Sequence, residues 1–126
     1  MSEVFSVVLS SDEVQMLSSK ICDKFHENEK QCHIWTGDIF EDGYPCVRVS
    51  FRGKRLRVRV HRLVYYLANP NVFLDSKIHT SHLCHNKLCI NIEHLSYEPS
   101  VVNCQRNTCV SENNCFGHAG YKNCIL

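Results

Sequence analysis

The chain has no apolar run of about 18 residues, so no segment reads as a membrane-spanning helix. It has no internal repeat and no low-complexity stretch, which argues against solenoids and flexible linkers. Its N-terminus, Met1 to Ser10, lacks a basic region ahead of its apolar residues, so no signal peptide is predicted. From Gly43 to Leu74 there is no acidic residue, although the chain carries 13 in all. The last segment, 108–126, has little apolar periodicity, so something other than a core must hold it.

What is present starts from size. A length of 126 residues predicts a single domain. The net charge of +1 hides an asymmetry, because most acids lie before Gly43. The acid-free stretch holds Arg48, Arg52, Lys54, Arg55, Arg57, Arg59 and Arg62. A basic stripe of this kind suits a phosphate backbone, whatever the total charge. The nine cysteines would suit a secreted disulfide scaffold. Their odd number, the absence of a leader and the interleaved histidines favour reduced thiolates on metal, with zinc the natural ion. That chemistry predicts a reducing intracellular compartment, nucleus or cytoplasm.

Ser10 and Glu13 form a capping-box pattern, and Val14, Leu17, Ile21 and Phe25 recur on one helical face, predicting a helix near 11–26. Cys22 beside that stripe reads as a buried small hydrophobe. Residues 27–33 are polar and carry Cys32 and His33. Trp35-Thr36-Gly37 and Glu41-Asp42-Gly43 look like turns around a first strand. Then Val47, Val49 and Phe51 alternate with Arg48, Ser50 and Arg52. After the Arg52-Gly53-Lys54 turn, Leu56, Val58 and Val60 alternate with Arg55, Arg57, Arg59 and His61. This is a hairpin with one apolar and one arginine face. A short helix near 61–68 should close before Asn69-Pro70. Residues 79–97 read as irregular, and a helix is predicted from near Pro99, carrying Asn103. The predicted organisation is an N-terminal helix in 1–30, a core in 31–107 and a metal knot in 108–126.

Metal ligands stand out by spacing. Cys84, Cys89 and His94 are separated by four residues each and supply three ligands. A closed structural site needs a fourth, and Cys32 is preferred to Cys46, which lies in an alternating strand. Cys109, Cys115, His118 and Cys124 form a second, self-contained set; Cys104 lies just outside it and reads as facing the core of its helix. His82 sits two residues before Cys84, so a metal would fix its backbone tightly and leave its imidazole available as a general base. His79, His85, His33 and His61 are alternatives. Asn103 offers an amide oxygen suited to a hard cation such as magnesium.

The run S-H-L-C-H-N-K-L-C-I-N-I-E-H-L, Asn103 eight residues after it, and C-x5-C-x2-H-x5-C together resemble the His-Cys box homing endonucleases. These are ββα-metal (His-Me finger) nucleases related to the HNH enzymes. The upstream C-H-I-W-T-G and the arginine-rich hairpin followed by H-R-L-V-Y-Y-L look like the same class, and the resemblance covers roughly 32–124. It implies an α+β fold with an antiparallel sheet and a ββα-metal nuclease core. It implies one structural zinc on Cys32, Cys84, Cys89 and His94 and a second on Cys109, Cys115, His118 and Cys124. It implies His82 as general base, Asn103 holding one catalytic Mg2+ (or Mn2+), and Arg55 or Arg57 on the scissile phosphate. Arg48, Arg52, Lys54, Arg55, Arg57 and Arg59 are the expected DNA-binding residues. The implied activity is Mg-dependent cleavage of double-stranded DNA by a homodimer. A non-catalytic zinc DNA-binding module and a nonspecific DNA or RNA nuclease are the alternatives.

Overall fold

The capping box at Ser10 forms as its pattern predicts. In the computed structural model, which describes residues 3–69, 72–75 and 77–126, Glu13 N–H donates to the Ser10 hydroxyl at 3.1 Å. Ser10 N–H donates to the Glu13 carboxylate at 2.9 Å. The helix it starts, α1 (Ser11–Ser19), ends well before residue 26. The Ser19 hydroxyl donates to Met16 O at 2.7 Å, and the N–H groups of Lys20 and Ile21 tighten onto Leu17 O and Ser18 O. Serine hydroxyls compete with the backbone ladder in this way. Phe25, expected on the helical face, instead opens β1 (Phe25–Glu27), antiparallel to β2 (His33–Trp35). Cys22 is consequently exposed rather than buried.

The hairpin matches its alternation. In β3 (Cys46–Phe51) and β4 (Lys54–Arg59), Val47 faces Val58 and Val49 faces Leu56, while Arg48 faces Arg57 and Ser50 faces Arg55. Its two-residue turn puts Arg52 at φ 49 and Gly53 at φ 80. Two positive φ angles are the mark of a type I′ turn, which matches strand twist. The strand expected between the two upstream turn clusters shrinks to one bridge, Ile39 to Pro45. The chain then enters α2 (Val60–Ala68). Because helix replaces strand at Val60, His61 leaves the arginine face and turns inward, 5% exposed. Pro70, expected just beyond this helix, lies outside the described residues.

The 79–97 region is more regular than its sequence suggests. β5 (Ile78–His82) pairs antiparallel with β6 (Leu95–Pro99), and Leu83 N–H donates to His94 O at 2.7 Å to close the loop between them. Its histidines, serines and threonine carry no apolar alternation, so the pairing is settled by the loop ends meeting rather than by local pattern. α3 (Ser100–Glu112) follows, with Pro99 as N-cap rather than first helical residue. Its end is Asn113 in the left-handed region at φ 52, a conformation asparagine tolerates. Cys104, expected to face the core, is exposed on this helix.

The fold is therefore α+β. Among the described residues its strands form three antiparallel pairs instead of one sheet. β5, the loop, β6 and α3 make a ββα unit. The apolar core of the fold is the cluster of Val4, Phe5, Leu17, Trp35, Val47, Val49, Phe51, Val58, Val60, Leu63 and Tyr66 with their neighbours. Each such side chain contributes about 1.5–3 kcal/mol on burial. The 3₁₀ turn Glu3–Ser6 supplies Val4 and Phe5, and Phe5 meets Tyr66 edge-on at 5.8 Å. Trp35 covers Gly37, where an added Cβ would lie 2.6 Å from its ring.

The ββα unit is held by charge as well. Arg106, 1% exposed, donates to both oxygens of Glu98, 0% exposed, at 2.7 Å each. It also donates to Lys122 O at 2.9 Å and to Cys124 Sγ at 3.2 Å. Burial by itself would raise the Glu98 carboxyl, but the Arg106 guanidinium holds it below its usual range. Removing one member of such a pair strands the other charge. Arg106→Ala should cost about 3–5 kcal/mol of stability, while Glu98→Leu with Arg106→Met together should cost much less. Urea unfolding of zinc-saturated protein measures both. Equal losses in the single and double variants would show that stranded charge is not what matters.

Candidate functional site

Two ligand sets are assembled from different parts of the chain. β2 is drawn against the 88–90 loop by Trp35 N–H to Leu88 O and Ile90 N–H to His33 O, each at 2.8 Å. The Asn28 side chain accepts from Cys32 N–H at 2.9 Å and holds that residue in place. Cys32 thus meets Cys84, Cys89 and His94, with all four ligand atoms within 4.8 Å of one another. The Sγ atoms of Cys32 and Cys89 each lie 3.5 Å from His94 Nδ1. Zinc bonds of about 2.3 Å to sulfur and 2.0 Å to nitrogen give tetrahedral S···N edges of roughly 3.5 Å. The set therefore fits zinc. Cys89 is pulled down to about 4, first by the hydrogen bond it shares with Cys84, against the effect of burial. Cys46 stays in β3, outside the cluster.

The second set joins α3 to the tail. Cys109, on the last turns of α3, and Cys115 place Sγ 3.5 Å from His118 Nε2, and Cys124 places its own at 3.7 Å. Cys115 is pulled down to about 6 by the backbone N–H groups of Cys124 and Gly117, donors that favour a thiolate. Gln105, which sequence reasoning missed, accepts from His118 Nδ1–H at 3.1 Å and so selects the tautomer that leaves Nε2 for metal. Its one signal in the sequence is its position four residues before Cys109.

A cleft of about 890 Å³ lies between the basic hairpin and the ββα unit. His82, at the end of β5, lines it together with Asn103 from α3 and Arg57 from β4. The His82 ring is 9% exposed, and its Nε2–H donates to Cys89 O at 2.9 Å, so the unprotonated nitrogen is Nδ1. Burial pushes His82 down to about 4, with Cys89 opposing, so the ring is neutral at pH 7. His61 lies against it at 4.9 Å between ring centres and stacks on Tyr44 at 5.1 Å. Burial drives His61 well below its ordinary value as well.

The other expected residues divide clearly. His79, His85 and His61 line the cleft, whereas His33 stacks on Phe25 at 4.7 Å outside it. Arg57 and Arg59 line the cleft, each with its guanidinium 4.6 Å from the Phe40 ring centre. Arg55 instead lines a smaller depression with Lys20, Arg48 and Arg57. Arg52 is held by Glu13 at 2.9 Å, and Lys54 opens β4. Asp42 is the one carboxylate among the described lining residues, and Arg59 pairs with it at 2.9 Å. Asn103 offers this cleft a carboxamide oxygen that accepts from the Ser81 hydroxyl at 2.8 Å and keeps a second lone pair. A donor set of one carboxamide suits a cation that keeps its other positions for water and phosphate oxygens.

A family model described as the zinc-binding loop region of homing endonuclease matches residues 31–125. No curated protein and no solved structure matches the chain. The matched span includes both ligand sets, and elemental analysis of purified protein should find two zincs per chain. One zinc or none would refute the double-knot reading. Gln105→Ala should weaken the second zinc about 10–100-fold in competition with a chelator and leave the first unchanged.

Proposed function

The chain belongs to the family of homing-endonuclease zinc-binding loop regions, and we propose that it is a metal-dependent endonuclease hydrolysing phosphodiester bonds of double-stranded DNA. The observation that carries this is the cleft that brings His82, Asn103 and Arg57 together beside an arginine-faced hairpin. His82 accepts a proton from water at Nδ1 as the water attacks phosphorus. Arg57 balances charge that grows on the phosphate oxygens. Asn103 would hold Mg2+ (or Mn2+) through its carboxamide oxygen. Bound there, the ion supplies positive charge toward the phosphate and the departing 3′ oxygen. The products then carry 5′ phosphate and 3′ hydroxyl. The zinc knots take no part in the chemistry, since four protein ligands leave a tetrahedral ion no open position.

The outer face of β3 and β4 is the proposed docking surface, with Arg48, Arg55 and Arg57 at its centre and Arg52, Lys54 and Arg59 around it. Arg48 and Arg57 sit directly opposite each other in register. Like charges so placed destabilise a hairpin unless an anion lies between them. Cutting both strands with one site per chain calls for two copies, so a homodimer is part of the proposal. Reduced thiolates call for a reducing compartment.

Two measurements test this reading. DNA affinity should fall steeply with salt, and Arg48→Ala with Arg55→Ala should lower the salt slope by roughly one to two units. An affinity that ignores salt or these substitutions removes the hairpin as the interface. In plasmid cleavage with magnesium, His82→Ala should slow the reaction by about 10²–10⁴-fold while keeping both zincs and DNA affinity. Wild-type cleavage rates in that variant would overturn the assignment of the base. Binding without cleavage by wild type, in magnesium or manganese, would instead indicate a zinc DNA-binding module. Equal digestion of random plasmid and structured RNA would indicate a nonspecific nuclease.

A further inference from the structure

A carboxamide holds a cation through its oxygen and repels it through its nitrogen, and the two ends differ by a half-turn about the last side-chain torsion. Whatever orients Asn103 therefore controls whether the cleft can hold a divalent ion. Two residues of β5, on the same face of the strand, touch this carboxamide. The Ser81 hydroxyl donates to Asn103 Oδ1 at 2.8 Å. Asn103 Nδ2–H donates to His79 Nδ1 at 3.0 Å.

The two contacts are not equivalent. A hydroxyl both donates and accepts, so Ser81 can satisfy either end of the carboxamide and selects neither. With its proton on Nε2, His79 offers Nδ1 as an acceptor only and requires the NH2 end. That requirement leaves Oδ1 on the Ser81 side, with a second lone pair for a cation. His79 lines the same cleft and is exposed there.

We propose that His79 is a positioning residue that fixes the carboxamide of Asn103 so that its oxygen, not its nitrogen, meets the divalent cation. The inference rests on the reading of Asn103 given above. His79 touches neither water nor phosphate in this role; its effect passes through Asn103. Of the histidines set out as alternative bases, it is the one whose hydrogen bond gives it a different task.

The test uses leucine and asparagine at position 79. Both are close in shape; leucine offers no hydrogen bond, and asparagine offers one that, like the Ser81 hydroxyl, satisfies either end of the carboxamide. Mn2+ is titrated into the zinc-loaded, 15N-labelled full chain, and paramagnetic broadening of the α3 amides around residue 103 reports binding. His79→Leu should need about three- to tenfold more Mn2+ than wild type, because one hydrogen bond no longer selects the binding-competent orientation. His79→Asn should bind Mn2+ about as weakly as His79→Leu, because its own carboxamide can turn and selects neither end, and zinc content should stay at the wild-type value in both variants. Unchanged Mn2+ binding in either His79→Leu or His79→Asn would overturn the role of His79. Asn103→Ala separates the two layers of the argument. If it binds Mn2+ like wild type, or if wild type shows no broadening, the cation site itself falls and this inference with it. If Asn103→Ala loses binding while His79→Leu keeps it, only the positioning role falls.

Discussion

A tetrahedral ligand set tolerates little positional error, and the set of Cys32, Cys84, Cys89 and His94 is the constraint on which the candidate site depends. Three of its members lie in the loop between β5 and β6, and the fourth precedes β2. Drawing them together fixes the end of β5, and with it the backbone of His82. The same loop supplies Cys89 O, which accepts a hydrogen bond from His82 Nε2–H. One knot thus sets both where the imidazole is and which nitrogen is basic. The apolar core cannot do this, because its residues belong mainly to the N-terminal segment, β3, β4 and α2.

The second knot reaches the cleft by another route. Cys124 accepts from Arg106, which is paired with Glu98 on β6. Glu98 lies opposite His79 across the β5–β6 pair, and His79 and Ser81 both touch Asn103. The tail is further tied to the first loop by Ile125 N–H to Leu83 O at 2.7 Å. Polar contacts therefore run from the tail to the carboxamide of Asn103. A buried ion pair adds little net stability but penalises every arrangement that separates its charges. Here that penalty keeps α3 in register with β6.

Charge on the hairpin is balanced from a distance in sequence. Glu13 pairs with Arg52, Glu41 with Arg57 and Asp42 with Arg59. Arg52 beside Glu13 pulls that carboxyl down to about 2. These pairs sit at the protein surface, where they contribute little, so phosphate oxygens would displace such carboxylates at small cost. The near-neutral net charge of the chain and a strongly basic face are thus compatible.

Much of this was legible in local pattern. The capping box, the two-sided hairpin and the spacing of Cys84, Cys89 and His94, and of Cys109, Cys115, His118 and Cys124, are short-range properties, and a ligand or a turn needs its residue type at a fixed offset. The choice of Cys32 over Cys46 was decided by β2 pairing with the 88–90 loop, a contact between residues far apart in the chain. The placing of Arg57, rather than Arg55, in the cleft followed from the twist and packing of the hairpin against the ββα unit. α1 ends earlier than the periodicity predicts because Phe25 fits a helical face and a strand equally well, and pairing with Trp35 settles it. Cys22 and Cys104 are exposed against expectation, because apolar neighbours in sequence say nothing about which side of a helix or turn meets the core. The link between His79 and Asn103 had no sequence signal at all. Hydrogen-bond partners 24 residues apart are chosen by how β5 and α3 pack, and that packing exists only once both knots and the Glu98–Arg106 pair hold the ββα unit together.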